Sequence, residues 1–309
     1  MKNLLIRTSV LFIFTSFLFG CYSIPIEGFK PVNSEGDTLL FYIAQKDNKS
    51  QKLNDKLLVL IQGSGRESIS SRFGWSAKGI QMGYDVLFME KFAFDDSAKF
   101  EATNCRERRI NDVNFILNYV KKNIYNNKLK DILIFADSEG GEIAPEITCE
   151  NNLVKKLIVI GNGGMPGPEK IKILFEKEKK LKYLGFLTLS GIKNSEDIDS
   201  LLTEIKNNPS TEKRFLGLTY KYWNSYIFYD VDSYYDKLTI PVLLIIGEKD
   251  MNVPCESVSY LKDKYKGKNN YTCHIISDLN HNLVDSKGNK RFQNVLKEYV
   301  IPWLEKSPD

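Results

Sequence analysis

A series of short, unbroken apolar runs separated by segments of helical spacing constrains this chain more than any other feature. KLLVLIQ at 56–62, YDVLFME at 84–90, ILIF at 132–135, LVKKLIVI at 153–160 and VLLII at 242–246 are strand-length, each built on an apolar run. Strands of that kind lie buried on both faces, which implies a mostly parallel sheet covered by helices. The intervening segments agree. RERRINDVNFILNYVKKN carries Ile110, Val113, Ile116, Leu117 and Val120 at helical spacing, and further helices are expected at 75–82, 256–266 and 291–306. A first strand is expected at 38–44 and a last one in YTCHIIS. The expected fold class is therefore α/β, a mostly parallel sheet with helices on both faces.

The rhythm breaks between about 166 and 237. EKIKILFEKEKKLKY, rich in lysine and glutamate, gives way to the aromatic TYKYWNSYIFYDVDSYYDKL. Strand–helix alternation continues on both sides, so the segment is expected to be a helical cap inserted between two strands rather than a second domain. Its aromatics (Tyr220, Tyr222, Trp223, Tyr226, Phe228, Tyr229, Tyr234 and Tyr235) are expected to build the cap's own core, with the lining of an acyl pocket as the alternative.

A chain of 309 residues suits one large α/β domain with an insertion, and 42% hydrophobic with 27% charged residues is ordinary for a globular protein. The net charge of +4, to which Lys2 and Arg7 contribute, makes no case for nucleic-acid binding. There is no internal repeat, no Walker loop and no G-x-G-x-x-G after a strand.

The N-terminus, MKNLLIRTSVLFIFTSFLFGC, places two basic residues before an apolar core at 10–19 that is short for a transmembrane helix. Residues 1–20 read as an export signal. Leu18-Phe19-Gly20-Cys21 resembles a bacterial lipobox, in which the cysteine is acylated and becomes the mature N-terminus. A plain signal peptide cut near Cys21 is the alternative. The resemblance implies an exported protein, lipid-anchored through Cys21 to a bacterial membrane and facing the periplasm or cell exterior. Residues 21–37, with Pro25, Gly28 and Pro31, are expected to be a tether, and 38–309 the main domain with the cap at about 166–237.

The chemistry is concentrated at Ala136-Asp137-Ser138-Glu139-Gly140, between an apolar strand and the helical GGEIAPEI. A sharp strand-to-helix turn exposes its central residue and excludes bulk two positions away on either side. Ala136 and Gly140 meet that demand around Ser138, whereas Asp137 would be flanked by Phe135 and Glu139. A serine hydroxyl needs a base, and the base an acid to orient it. The chain has two histidines. His274 lies inside a strand and is expected to be structural, while His281 follows the last strand in a polar loop. At the end of PVLLIIGEKD, Asp250 occupies the turn after a strand, with Glu248 as its local competitor.

The order Ser138, Asp250, His281 on this rhythm resembles the α/β-hydrolase superfamily, over essentially the whole chain from about 39 to 304. GSGRES after the strand at 56–62 and SEGG at the elbow are similar to bacterial esterases of the dienelactone-hydrolase and prolyl-oligopeptidase-like branch. The resemblance implies a serine hydrolase that cleaves carboxylic esters through an acyl-enzyme, without metal or organic cofactor. It also implies an oxyanion hole made of the backbone N–H groups of Glu139 and Ser64, with Gly65 as the alternative second donor. Arg66, beside that loop, is a candidate to bind a substrate carboxylate. The expected partner is a small-molecule acyl substrate. Thioesterase, peptidase and acyltransferase chemistry on the same fold remain alternatives, as does a non-catalytic surface-binding lipoprotein. Of the four cysteines after Cys21, a Cys105–Cys255 bridge fits this fold best, against four buried thiols.

Overall fold

The computed structural model describes residues 24–45, 54–181 and 185–306. The expected export signal and Cys21 lie outside the described residues. An eight-stranded sheet runs β1 (Ile26–Phe29), β2 (Phe41–Ala44), β4 (Asp85–Met89), β3 (Lys56–Ile61), β5 (Asp131–Asp137), β6 (Val154–Ile160), β9 (Val242–Gly247), β10 (Tyr271–Ile276) in spatial order. The pairs β1/β2 and β2/β4 are antiparallel, and every pair from β4 to β10 is parallel. β7 (Arg214–Phe215) and β8 (Leu218–Thr219) form a separate small hairpin.

β1 corrects the expected tether at 21–37. Ile26–Phe29 pairs residue by residue with Phe41–Ala44, and Phe29 stacks on Phe41 at 5.0 Å. A lone pair of short strands is marginal in water, but here the hairpin extends a sheet whose core already exists.

Strand alternation sends side chains to two apolar layers. Leu57, Val59, Ile61, Ile132, Ile134, Leu157 and Val159 pack on one face against α3 (Arg106–Tyr119), α4 (Gly140–Glu150), α9 (Asp232–Lys237) and α10 (Glu256–Lys264). Leu58, Leu60, Leu133, Phe135, Ile158 and Ile160 face α1 (Trp75–Gln81) and the C-terminal helices. Those helices are α11 (Phe292–Val295) and α12 (Ile301–Lys306), joined by a π turn; α2 (Ser97–Thr103) follows β4 in the chain.

The cap enters the chain between β6 and β9 as α5 (Gly167–Lys180), α6 (Phe186–Leu189), α7 (Ser195–Asn207), the β7–β8 hairpin, α8 (Tyr220–Ile227) and α9. It has its own core of Ile171, Phe175, Ile198, Leu202, Ile205 and Phe215. The aromatics divide differently from the expectation. Tyr220 is buried in the cap core, whereas Tyr222, Tyr226 and Tyr235 belong to the core of the sheet beneath it. The cap is thus riveted to the domain by its tyrosines. The expected Cys105–Cys255 bridge is absent: Cys105, Cys149, Cys255 and Cys273 are all free thiols. Cys255 Sγ lies instead 3.6 Å from Lys177 Nζ.

Candidate active site

β5 delivers Ser138 to the carboxyl edge of the sheet. The serine has φ +51°, a left-handed backbone that a non-glycine residue adopts only at a cost. The turn is sharp because α4 starts directly behind it, and Gly140 is the residue that permits this. A Cβ there would sit 2.4 Å from the Ile61 carbonyl oxygen of β3. The Ser138 N–H donates to Ile160 O at 2.8 Å, and its carbonyl accepts from Asn162 Nδ2 at 2.8 Å. The strained turn is held from both ends.

Three side chains meet at this edge. His281 Nε2 lies 2.9 Å from Ser138 Oγ, and its Nδ1 lies 2.6 Å from Asp250 Oδ2. Asp250 is 0% exposed, and its Oδ1 accepts the N–H groups of Asn252 at 2.8 Å and Val253 at 2.9 Å. A carboxylate only accepts, so Nδ1 carries the ring proton and Nε2 is left to accept from the serine hydroxyl. The histidine loop is braced by Asn280 Oδ1, which accepts from the N–H groups of Asn282 and Val284, both at 3.0 Å. Glu248 is exposed and takes no part. His274 is half-buried on β10, with its ring 4.8 Å from that of Tyr299, and burial lowers its pKa.

The loop after β3 passes directly over the serine. A Cβ on Gly63 would come 2.8 Å from Ser138 Cβ. Among the described residues, the N–H groups of Ser64 and Glu139 have no acceptor. The two N–H groups named from the sequence, one next to Ser138 in the chain and one following Gly63, are therefore both unpaired among the described residues.

A pocket of about 240 Å³ opens beside Ser138 and His281. Leu60, Phe135 and Ile160 form its floor at the ends of three adjacent strands, and Trp75, Leu283 and Phe292 wall it. No described cap residue lines it. Arg66 lies outside the lining, and its guanidinium donates to Phe94 O at 3.0 Å. Arg72 stands at the pocket instead, paired with Asp137 Oδ2 at 3.0 Å. Gln62 also lines the pocket, and its Nε2 is buried without a partner.

Beneath the elbow lies a charge cluster that the sequence did not announce. Glu139, 6% exposed, binds Arg109 and Tyr222, accepts from Tyr226 at 3.2 Å, and lies 3.7 Å from Lys91. Arg109 and Lys91 are 8% and 7% exposed. The RERR run reads as a solvated helix face, and only the tertiary fold shows that one of its arginines turns inward.

This architecture is the α/β-hydrolase fold. Est1E from Butyrivibrio proteoclasticus superposes with a TM-score of 0.58 at 18% identity, covering 90% of this chain and 99% of that one. The Pyrococcus furiosus esterase Pf2001 gives a TM-score of 0.56 at 16% identity, covering 94% and 96%. In sequence, the chain is 25% identical over 243 residues to esterase EstD of Thermotoga maritima, across 75% of this chain and 55% of that protein. The chain thus spans about half the length of the curated relative it matches. No protein-family model matches the sequence.

Proposed function

We propose that the protein is a serine hydrolase cleaving carboxylic esters, with Ser138 as nucleophile, His281 as general base and acid, and Asp250 as the group that fixes the imidazole. The observation that carries this reading is His281 bridging a strained, elbow-borne serine and a fully buried carboxylate through its two nitrogens. The esterase names of the relatives point the same way.

In the acylation step, Oγ attacks the ester carbonyl carbon as its proton passes to Nε2. Asp250 stabilises the imidazolium that forms. Negative charge developing on the carbonyl oxygen is met by the N–H groups of Glu139 and Ser64, the former at the start of α4 where the helix dipole adds its field. His281 then returns the proton to the departing alkoxide. Water, deprotonated by the same ring, attacks the acyl-enzyme and releases the acid. The apolar pocket suits the acyl group. At about 240 Å³ it lies below the roughly 300–1,000 Å³ of pockets for drug-sized ligands, so short and medium acyl chains fit it best. Gln62 Nε2 supplies a donor for a polar atom on that group.

Labelling by a fluorophosphonate probe tests the reading. Wild-type protein should be labelled and Ser138→Ala should not; equal labelling of both, or none in a folded wild type, removes the enzyme reading. A series of nitrophenyl esters, with thioesters and aminoacyl amides alongside, separates ester cleavage from its neighbours in chemistry. Export and a lipid anchor at Cys21 belong to the same proposal, supported by the lipobox-like LFGC. Cys21→Ala should abolish fatty-acid incorporation, and unchanged incorporation would defeat the anchor.

A further inference from the structure

Glu139 serves the site with both of its ends. Its backbone N–H is one oxyanion donor, and its buried carboxylate holds Arg109 and Lys91. Those two cations reach on to the loop that carries the other donor. Lys91 Nζ donates to the Gly63 carbonyl at 2.6 Å and the Gly65 carbonyl at 2.7 Å, and Arg109 Nη2 donates to the Gln62 carbonyl at 2.8 Å.

The Gly63 carbonyl and the Ser64 N–H belong to one peptide unit. A trans peptide points these two groups to opposite sides. Drawing the carbonyl on to Lys91 therefore turns the Ser64 N–H away from the buried cluster, where it finds no acceptor among the described residues. The donor is left free for a ligand.

We infer that Lys91 is a positioning residue: held by Glu139 and seconded by Arg109, it orients the Gly63–Ser64 peptide so that its N–H completes the oxyanion hole. The use made of that donor rests on the serine-hydrolase reading; its orientation does not. An ammonium on the carbonyl also polarises the amide and strengthens its N–H toward developing negative charge.

The surroundings make the device sensitive to pH. Burial, partly offset by the Glu139 carboxylate, brings the Lys91 ammonium down to about 8. Arg109 on α3 and Asp137 at the end of β5 are the other charges facing it. Tyr222 and Tyr226 of α8 face the Glu139 carboxylate. Burial alone would raise Glu139, but Lys91, Arg109 and the Tyr222 hydroxyl outweigh it and hold the carboxyl at about 2. Raising the pH through about 8 thus strips the polarising charge from Lys91 while Glu139 and Arg109 stay paired.

NMR on the wild-type protein without substrate tests the orientation directly. The Lys91 13Cε signal and the Ser64 amide should shift together with a midpoint near 8, and Lys91→Met should erase that transition at Ser64. With a nitrophenyl ester, Lys91→Met should lower kcat about 10- to 100-fold with KM changed less than about threefold. It should also lose the alkaline limb of the kcat profile, and Lys91→Arg should restore part of the rate. A Ser64 amide indifferent to the Lys91 titration overturns the inference, as does a Lys91→Met kcat within about twofold of wild type. A folded wild type without turnover removes the hydrolase reading instead, and the wild-type titration then decides this one alone. That titration also decides it should Lys91→Met fail to fold.

Discussion

On the proposed reading, Asp250 acts by being saturated. Two backbone N–H groups occupy one oxygen, which leaves the other aimed at His281 Nδ1. Asp250→Asn keeps the size of the side chain but presents an amide that favours the wrong imidazole tautomer. It should lower kcat about 10⁴-fold with little change in KM, measured on a short-chain nitrophenyl ester. That Ser138, Asp250 and His281 come together was legible in the sequence because local chemistry betrays such residues. Ala136 and Gly140 around Ser138 reveal the turn, and with two histidines in the chain the one after the last strand stands out. Arg72 was not legible. It shares GRESISSR with Arg66, and nothing in that string says which guanidinium comes back to the site. Lys91, Arg109 and the Glu139 carboxylate were hidden for a different reason. Charged side chains read as solvated until a partner from elsewhere in the chain is known, and here the partners come from four separate segments.

Among the elements, α1 has the clearest chemical consequence. Its first residue, Trp75, lies between Phe135 at 4.5 Å and Phe292 at 5.2 Å, closing the pocket from the α1 side. Trp75→Leu keeps an apolar wall and removes ring volume. The optimum in an ester series should move toward longer acyl chains, and an unchanged optimum would place the acyl group elsewhere. The parallel strands and the helices α1, α3, α4 and α10 were readable because each carries an apolar run or a helical stripe, whereas the short α2 (Ser97–Thr103) was not expected. β1 was not, since IEGF is too short for a period and sits between prolines. Its place comes from pairing with β2, which is a long-range fact. The segment between β6 and β9 stands out in the sequence by its break in rhythm, and Tyr220 packs in its core as expected, but Tyr222, Tyr226 and Tyr235 were assigned to the wrong core because composition does not say which neighbour an aromatic will meet.

At the scale of the whole molecule, buried acids away from the site set how stability responds to pH. Burial raises Asp85 to about 6, though Tyr125 and the Asn54 N–H bond to it, and burial likewise raises Asp112 to about 6 despite Arg108. Both exceed the ordinary aspartate value near 3.9, so the folded state holds the protons more tightly than the unfolded one. The stability each contributes is complete below about pH 4 and is lost as pH rises through about 6. Asp85→Asn should therefore raise Tm at pH 8 relative to wild type by about 2–4 °C, and by less at pH 5, in parallel thermal melts.

Under the proposed anchor at Cys21, the edge strand also sets how far the molecule can stray. Were Cys21 the acylated residue, only Tyr22, Ser23, Ile24 and Pro25 would separate it from Ile26, the first residue of β1. Even fully stretched, such a leash reaches roughly 15–18 Å. The catalyst would hug the lipid headgroups with that rim of its sheet and sample substrate in a thin layer above the bilayer, rather than sweep the surrounding volume on a long stalk.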